Sequence, residues 1–456
     1  MYLLYNLFLT VSIIFILPWW LLNLTKGKYR AGFWQRMGFY PDEIKRRLLN
    51  QSTIWIHAVS VGEVIASAPL IKELKKRYPD FKIILSTVTV TGNRMANKKI
   101  KEADYIVYFP FDFLWSVRKA LNSINPVVCL IIETELWPNF LRILNLKGIP
   151  AIIVNGRISE KSFRGYMMAR VFMKYVLKNI GLFSMQTDED AEKVIAIGAD
   201  KNNVKVTGNI KYDHEFKQMG DEDINRIRVS LGLKNNDEVF IAGSTHSGEE
   251  EIIIGLYLNV LKHYPDLRLL IAPRHIERVG DVEEIVKKMG LNTVRKTAIS
   301  KVSYQSPATS HQPRPVIILD TIGELGFMYS IATIVFVGGS LIPHGGQNVL
   351  EPAFYKRPVI FGKYMMNFKE VAADMVSSGG GIQVGGEMEL KSAVEGLLNN
   401  RGKMTEIGEK GYRVIIKNRG ALQKNLELIE DIINQKIKVK DLNTNGTNGR
   451  ILRIKF

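Results

Sequence analysis

The chain has 456 residues but only one cysteine, Cys129, and seven histidines. A lone cysteine, set inside an apolar run, excludes a disulfide framework and a thiolate zinc site and fits a reducing compartment. The histidines do not show metal-ligand spacing. No Gly-x-Gly-x-x-Gly follows a strand-like run, and no Walker lysine motif is present, so the common dinucleotide and P-loop fingerprints are missing. Acidic charge is in short supply, with 45 Asp+Glu against 62 Lys+Arg, a formal net charge of +17. That excess favours an anionic partner: nucleic acid, acidic membrane or phosphorylated substrate. A basic stripe with interleaved aromatics is absent, which argues against nucleic acid.

Charge is missing altogether from Met1 to Thr25, which is rich in Leu, Ile and Phe and carries Trp19 and Trp20 near its end. Lys26, Lys28 and Arg30 follow at once. An apolar run of about 20 residues suffices to cross a bilayer. Interfacial tryptophans with cations just beyond place the following chain on the cytoplasmic side. A cleaved signal peptide would carry its positive charge before the apolar core, and none is there. The expectation is a membrane-anchor helix over 1–25, spanning or lying deep in the interface, with a basic juxtamembrane segment over 26–50; Asn6 and Pro18 weaken the span, and a buried N-terminal helix is the alternative.

From Ser52 onward, strand-like and helix-like segments alternate. Ile54–Val59, Lys82–Thr87, Tyr105–Phe109, Val127–Ile132, Ala151–Val154, Leu182–Met185 and Val204–Gly208 are short apolar runs with amphipathic stretches between them. This pattern predicts a parallel sheet with helices on both faces over 51–213. Residues 214–236 are polar and read as an irregular linker. The alternation then restarts at Val239–Ala242 and continues through Arg268–Ala272, Asn292–Arg295, Val316–Leu319, Ile334–Val337 and Val359–Phe361, giving a second domain over 237–415. A C-terminal helix over 416–435 precedes a basic tail, 436–456, expected to be frayed and solvated. The tail bases Lys436, Lys438, Lys440, Arg450, Arg453 and Lys455 also suit an anionic lipid surface. The fold class expected is α/β, two Rossmann-like doubly wound domains facing a cleft.

Several strand-to-helix junctions carry polar groups. Glu63 follows the first strand, where such folds place ligand crevices. Spacing alone favours a plainer reading, a first-turn acid complementing the helix dipole. Glu133-Thr134-Glu135-Leu136-Trp137-Pro138-Asn139 follows the fourth strand, and its carboxylates either face a crevice or belong to a helix start with Pro138 in the first turn. Gly208-Asn209-Ile210-Lys211 ends the first domain with a lysine at the expected cleft rim, or on the surface. In the second domain, Gly243-Ser244-Thr245-His246-Ser247-Gly248-Glu249-Glu250 offers backbone N–H groups and hydroxyls to a phosphate. Pro273-Arg274-His275 adds a planar guanidinium. Gly338 to Pro352 contains two diglycines that let backbone approach a ligand, then Asn348 and Glu351 on one helix face, the carboxylate suited to ribose hydroxyls. The triplets Asp188–Asp190 and Asp221–Asp223 read as structural.

In this order, His57-Ala-Val-Ser-Val-Gly-Glu63, Glu133-Thr-Glu-Leu-Trp-Pro-Asn139, Gly208-Asn-Ile-Lys211, Pro273-Arg-His275 and Gly345-Gly-Gln-Asn-Val-Leu-Glu351 resemble the motifs of the 3-deoxy-D-manno-oct-2-ulosonic acid (Kdo) transferases. These are lipid A glycosyltransferases of Gram-negative bacteria, glycosyltransferase family 30. The resemblance runs from the N-terminal apolar segment to about Asn434. It implies a GT-B architecture, membrane association at the inner membrane, and no metal or cofactor. It implies transfer of Kdo from CMP-Kdo to the 6′-hydroxyl of a lipid A precursor, lipid IVA, with inversion. Glu63 matches the acceptor base, and Glu133 and Lys211 match positions assigned to transition-state stabilisation. The CMP-binding segments match Pro273 and Arg274, Ile322, Gly323 and Glu324, and Asn348, Val349, Leu350 and Glu351. Gln347 departs from the family, which often has histidine there. Two other readings stand beside this one: a membrane-associated GT-B enzyme using another nucleotide sugar, and an inactive anchored nucleotide-binding module.

Chemistry sharpens one tension. A carboxylate in the first turn of a helix tends to have a lowered pKa, whereas a useful base needs one near the working pH. Burial or the neighbouring Glu133 must offset the helix end.

Overall fold

A computed structural model describes residues 1–22, 31–213, 216–234, 236–299 and 314–445, with side chains described for all of these except 13–22 and 439–445. Two compact units divide the chain. Unit 1 comprises Met1–His214 with Asn418–Phe456, and unit 2 comprises Glu215–Lys417.

In unit 1 the strands are β1 (Thr53–His57), β2 (Lys82–Thr87), β3 (Tyr105–Tyr108), β4 (Val128–Ile132), β5 (Ala151–Gly156), β6 (Leu182–Met185) and β7 (Val204–Val206). All are parallel, in the order β3-β2-β1-β4-β5-β6-β7. Successive residues of a strand face opposite sides of its sheet, so a sheet covered on both faces needs unbroken apolar runs. The sequence supplies them: Trp55, Cys129 and Ile131 join one core layer, while Ile54, Ile56, Leu130 and Ile132 join the other. Burial pushes the Cys129 thiol well above its ordinary pKa, so it stays protonated and inert.

The second layer is closed from the far end of the chain. Leu426, Ile429 and Ile433 of helix Ala421–Asn445 pack onto the sheet face that holds Ile54 and Ile56. The Asp213 carboxylate accepts the N–H groups of Gly420 and Leu422 at 2.6 Å each, fastening the start of that helix. Asn425, also buried, bonds Ser184 and Thr207. The helix runs on to Asn445, so the first part of the segment expected to be frayed is helical. Lys436 there donates to the Gly148 carbonyl at 2.5 Å rather than standing free for lipid. The side chains of Lys440, Arg450, Arg453 and Lys455 lie outside the described residues.

Unit 2 repeats the architecture with β8 (Glu238–Thr245), β9 (Leu267–Pro273), β10 (Thr293–Arg295), β11 (Val316–Ile318), β12 (Ile334–Val337), β13 (Val359–Gly362) and β14 (Ile382–Val384). They run parallel in the order β10-β11-β9-β8-β12-β13-β14. In both sheets the order reverses beside the first strand, between β1 and β4 and between β8 and β12. That reversal opens a crevice at the carboxyl ends of the strands.

Three expectations change. The stretch 214–236 is not irregular, because Asp221–Ser230 is a helix. It buries no residue, and polar contacts hold it instead: Arg226 pairs with Asp223 at 3.1 Å, and Arg228 bonds the carbonyls of Lys234 and Asp237. The triplet Asp221–Asp223 is therefore a first turn, not linker. As for the anchor, Tyr2–Leu22 is a helix, yet among the described residues no helix is long and apolar enough to cross a membrane. Its first turns dock on unit 1: Tyr5 donates to Asp112 at 2.9 Å, and Asn6 and Asn139 exchange amide hydrogen bonds. Lys26, Lys28 and Arg30 lie outside the described residues.

Candidate active site

Unit 1 places its acids at the crevice between β1 and β4. Ser60 caps helix Val61–Arg77, so the helix begins before Gly62 rather than after it. Ser60 and Glu63 have the spacing of a capping box, but the carboxylate of Glu63 reaches one residue past the N-cap N–H that motif uses. It accepts from the Ser60 hydroxyl at 2.7 Å and from the Val59 N–H at 2.6 Å. Both readings of Glu63 thus hold, as helix cap and as crevice acid. The tension over its pKa resolves toward burial. Glu63 is 7% exposed, and desolvation raises its pKa to about 7 against the lowering by the Val59 and Ser60 bonds. The charges of Glu133 and Glu135 push the same way as burial.

Glu133 and Glu135 follow β4. Glu133 has φ +59°, a left-handed conformation that a non-glycine residue adopts at some cost. Its side chain meets Lys211, with Nζ 3.7 Å from Oε1. Lys211 is held by a turn built on two asparagines. Asn155 accepts the Ile210 N–H at 3.0 Å and Asn209 accepts the Lys211 N–H at 3.0 Å. Burial, then Glu133, raises the Glu135 pKa to about 7. Glu135 was named with its motif but given no role; two carboxylates at one strand end were its signal. At the end of β1, His57 stacks on Phe109 at 3.8 Å, and burial lowers its pKa to about 3, so it is a neutral packing group.

Unit 2 splits its polar groups between two sides of its sheet centre. The loops after β8 and β12 are joined by Glu249, whose fully buried carboxylate accepts four backbone N–H groups: His246 and Ser340 at 3.0 Å, Gly339 at 2.7 Å and Leu341 at 3.0 Å. Of the amides in Gly243 to Glu250 expected to meet a phosphate, that of His246 is thus bound by the protein's own carboxylate, together with three from the loop after β12. The glycines serve the same closeness: a Cβ on Gly338 would stand 2.5 Å from the Ser244 carbonyl oxygen, and one on Gly346 would overlap Met365. Pro273 ends β9, and the Arg274 N–H donates to the Thr245 carbonyl at 2.9 Å, tying the ends of β8 and β9. The Arg274 side chain is exposed.

Asn348 and Glu351 are paired, with the Asn348 amide 3.2 Å from the Glu351 carboxylate, while Asn348 also accepts the Leu350 N–H. The Glu351 carboxylate lies 3.8 Å from where a Cβ on Gly326 would stand, which brings this segment to the turn after β11. In that turn Gly323 has φ +88° and Ile322 is 83% exposed. Glu324 is buried enough to raise its pKa, but hydrogen bonds from Lys296 and Thr321 hold it below the ordinary range. Val349 and Leu350 are fully buried, so their side chains belong to the core.

Three of the histidines, scattered in sequence, also meet here: the His246 ring stacks on His344 at 4.4 Å and meets His275 edge-on at 5.8 Å. Sequence spacing gave no sign of this, because each comes from a different strand end.

A family model described as 3-Deoxy-D-manno-octulosonic-acid transferase (kdotransferase) matches residues 31–214. The chain is 36% identical over 419 residues to the 3-deoxy-D-manno-octulosonic acid transferase of Haemophilus influenzae, covering 91% of this chain and 95% of that one. It is 30% identical over 382 residues to the enzyme of the same name from Rickettsia felis, covering 83% and 79%. Among solved structures, it is similar to the UDP-GlcNAc 2-epimerase of Neisseria meningitidis bound to UDP-GlcNAc, with a TM-score of 0.50 and 14% identity over 83% of this chain and 100% of that one. At that identity the likeness concerns the fold alone, two parallel-sheet α/β units of GT-B type.

Proposed function

The chain belongs to the 3-deoxy-D-manno-octulosonic acid (Kdo) transferases, a family of glycosyltransferases, and from that premise we propose that it moves Kdo from CMP-Kdo to the 6′-hydroxyl of a lipid A precursor with Glu63 as general base. The observation that carries the reading is the crevice acid of unit 1, buried and raised to about 7. A base works best when its pKa lies near the working pH. In the proposed step the acceptor oxygen attacks the anomeric carbon as its proton passes to the Glu63 carboxylate. The bond from that carbon to the phosphate oxygen breaks, and CMP leaves with the electron pair. One displacement inverts the centre.

The Glu133–Lys211 pair supplies fixed charges of both signs beside the reaction, preorganised by the turn on Asn155 and Asn209. Donor binding is assigned to Pro273 and Arg274, to Ile322, Gly323 and Glu324, and to Asn348, Val349, Leu350 and Glu351. Of these, Val349 and Leu350 act through backbone, since their side chains are buried. The proposal extends to an inner-membrane enzyme with a single N-terminal anchor, an anionic lipid surface as partner and both units cytoplasmic. It is supported by the uncharged run Met1–Thr25 and by Leu3, Leu4, Leu7 and Phe8, which stay exposed where the helix docks.

The test is mass spectrometry of a tetra-acylated lipid A precursor incubated with CMP-Kdo and the detergent-solubilised protein, with UDP-sugars as competing donors. Gain of one or more Kdo masses is expected, and UDP-sugars should not compete. No gain, with CMP still bound, would overturn the acceptor assignment.

A further inference from the structure

The amides of His246, Gly339, Ser340 and Leu341 are committed to Glu249, which turns attention to the other donors at these strand ends. His246 follows β8, His275 follows β9 and His344 lies in the loop after β12, and those three strands are neighbours in the sheet. Their rings therefore gather where the strand order reverses, the ligand crevice of such folds. The Nε2 atom of His246 is shielded from solvent and has no hydrogen-bond partner. It stands 3.4 Å from where a Cβ on Gly339 would be, and the Gln347 side-chain nitrogen stands 3.6 Å from the same point. A buried polar atom without a partner is costly, and in native proteins it commonly marks a place filled by a ligand or water.

The surroundings set the sign of that ligand. Burial, then His344, His275, Arg274 and Arg278 in that order, lower the His246 pKa to about 4. The acids nearby are already engaged: Glu249 holds four backbone amides, and Glu250 holds Arg278 at 2.8 Å. Among the described residues, no group of three His, Cys, Asp or Glu side chains has the geometry to hold a metal ion. A neutral imidazole keeps one N–H to give, and the cationic surroundings favour an oxyanion as its acceptor.

We propose that His246, with His275 and His344 beside it, forms a phosphate subsite in which the His246 Nε2–H donates to a phosphate oxygen of the nucleotide donor. This rests on reading the chain as a user of CMP-sugars. Arg274 adds charge from the rim, and Gln347 adds an amide donor.

The test compares ligands that differ only in the phosphate. Calorimetry of the full chain in detergent measures CMP, cytidine and inorganic phosphate against wild type, His246→Gln, His275→Gln and His344→Gln. His246→Gln is expected to weaken CMP at least tenfold and change cytidine less than twofold. The two variants at exposed positions are expected to weaken CMP about threefold with cytidine again unchanged. Equal losses for CMP and cytidine would make the histidines structural and overturn the proposal, as would CMP affinity within twofold of wild type in all three variants. If His246→Gln does not fold, the other two carry the same comparison. Inorganic phosphate separates the two readings: if wild type binds no CMP, the donor assignment fails, while phosphate bound by wild type and lost in the variants still supports the subsite. Phosphate bound by none of them would end it.

Discussion

The two sheets reverse their strand order in the same way, yet the crevices they open carry opposite chemistry. Unit 1 gathers Glu63, Glu133 and Glu135 with one lysine, whereas unit 2 gathers His246, His275 and His344 with Arg274 at the rim. The difference lies in what each unit does with its buried carboxylate. Glu63 accepts two donors and keeps a pKa near 7, so it can exchange a proton. Glu249 accepts four and is a fastening. One fold thus uses the same residue type, at the start of the same kind of helix, for reactivity in one unit and for loop geometry in the other. The number of committed hydrogen bonds separates the roles.

The comparison can be broken most directly at Glu63. Glu63→Gln is expected to lower transfer by about 10³-fold, within the range general bases contribute, with CMP affinity unchanged. Near-normal turnover would remove it as the base. Glu249→Ala should leave four buried amides without an acceptor and lower unfolding stability by about 3 kcal/mol, with CMP binding lost, read by urea titration. A change within experimental error would show that Glu249 is not a fastening.

Stability should depend on pH through Glu63. The Glu63 pKa is raised from 4.5 to about 7, so the native state holds its proton more tightly than the unfolded chain does. The resulting stability is complete below about pH 4.5 and fades as pH rises through 7. Glu63→Gln should therefore melt above wild type at pH 8.5, by up to about 2 kcal/mol of stability, and lose that advantage at pH 5. A deficit at pH 8.5 would contradict the burial argument.

Smaller effects follow in unit 2 and at the edge of the acid cluster. Glu351→Ala should weaken CMP about tenfold, as loss of a charge-assisted hydrogen-bond acceptor would, and leave turnover at saturating donor nearly unchanged. A normal CMP affinity would remove it from the site. Because the base must be ionised, kcat/KM should rise with pH up to about 7. Glu135→Gln removes a charge that raises the Glu63 pKa, so the inflection should move down by a fraction of a unit, and an upward move would sink the coupling.

Most of the fold was legible because buried parallel strands need apolar runs, and β2, β6 and β12 lie at the bounds those runs predict. The strand β14 was missed. It has three residues, set between Gly379–Gly381 and Gly385–Gly386, too short and too glycine-flanked to stand out. Helix Asp221–Ser230 was missed because its few apolar residues, Ile224, Ile227 and Val229, sit among charges and none is buried. Motifs placed the candidate acids correctly at strand ends, but not their electrostatics. The Glu63 pKa depends on burial and on the charges of Glu133 and Glu135 far along the chain, and the role of Glu249 depends on amides some ninety positions later. The histidine cluster was illegible for the same reason, since no local spacing joins positions 246, 275 and 344.

The return of helix Ala421–Asn445 to unit 1 has a consequence for synthesis. A chain made from its N-terminus exposes all seven strands of unit 1 before the helix that covers one sheet face exists. At ordinary elongation rates that wait, during which unit 2 is made, is on the order of tens of seconds. A nascent unit 1 must meanwhile keep the face bearing Ile54 and Ile56 away from other chains, so its maturation is timed by the ribosome rather than by its own strand pairing.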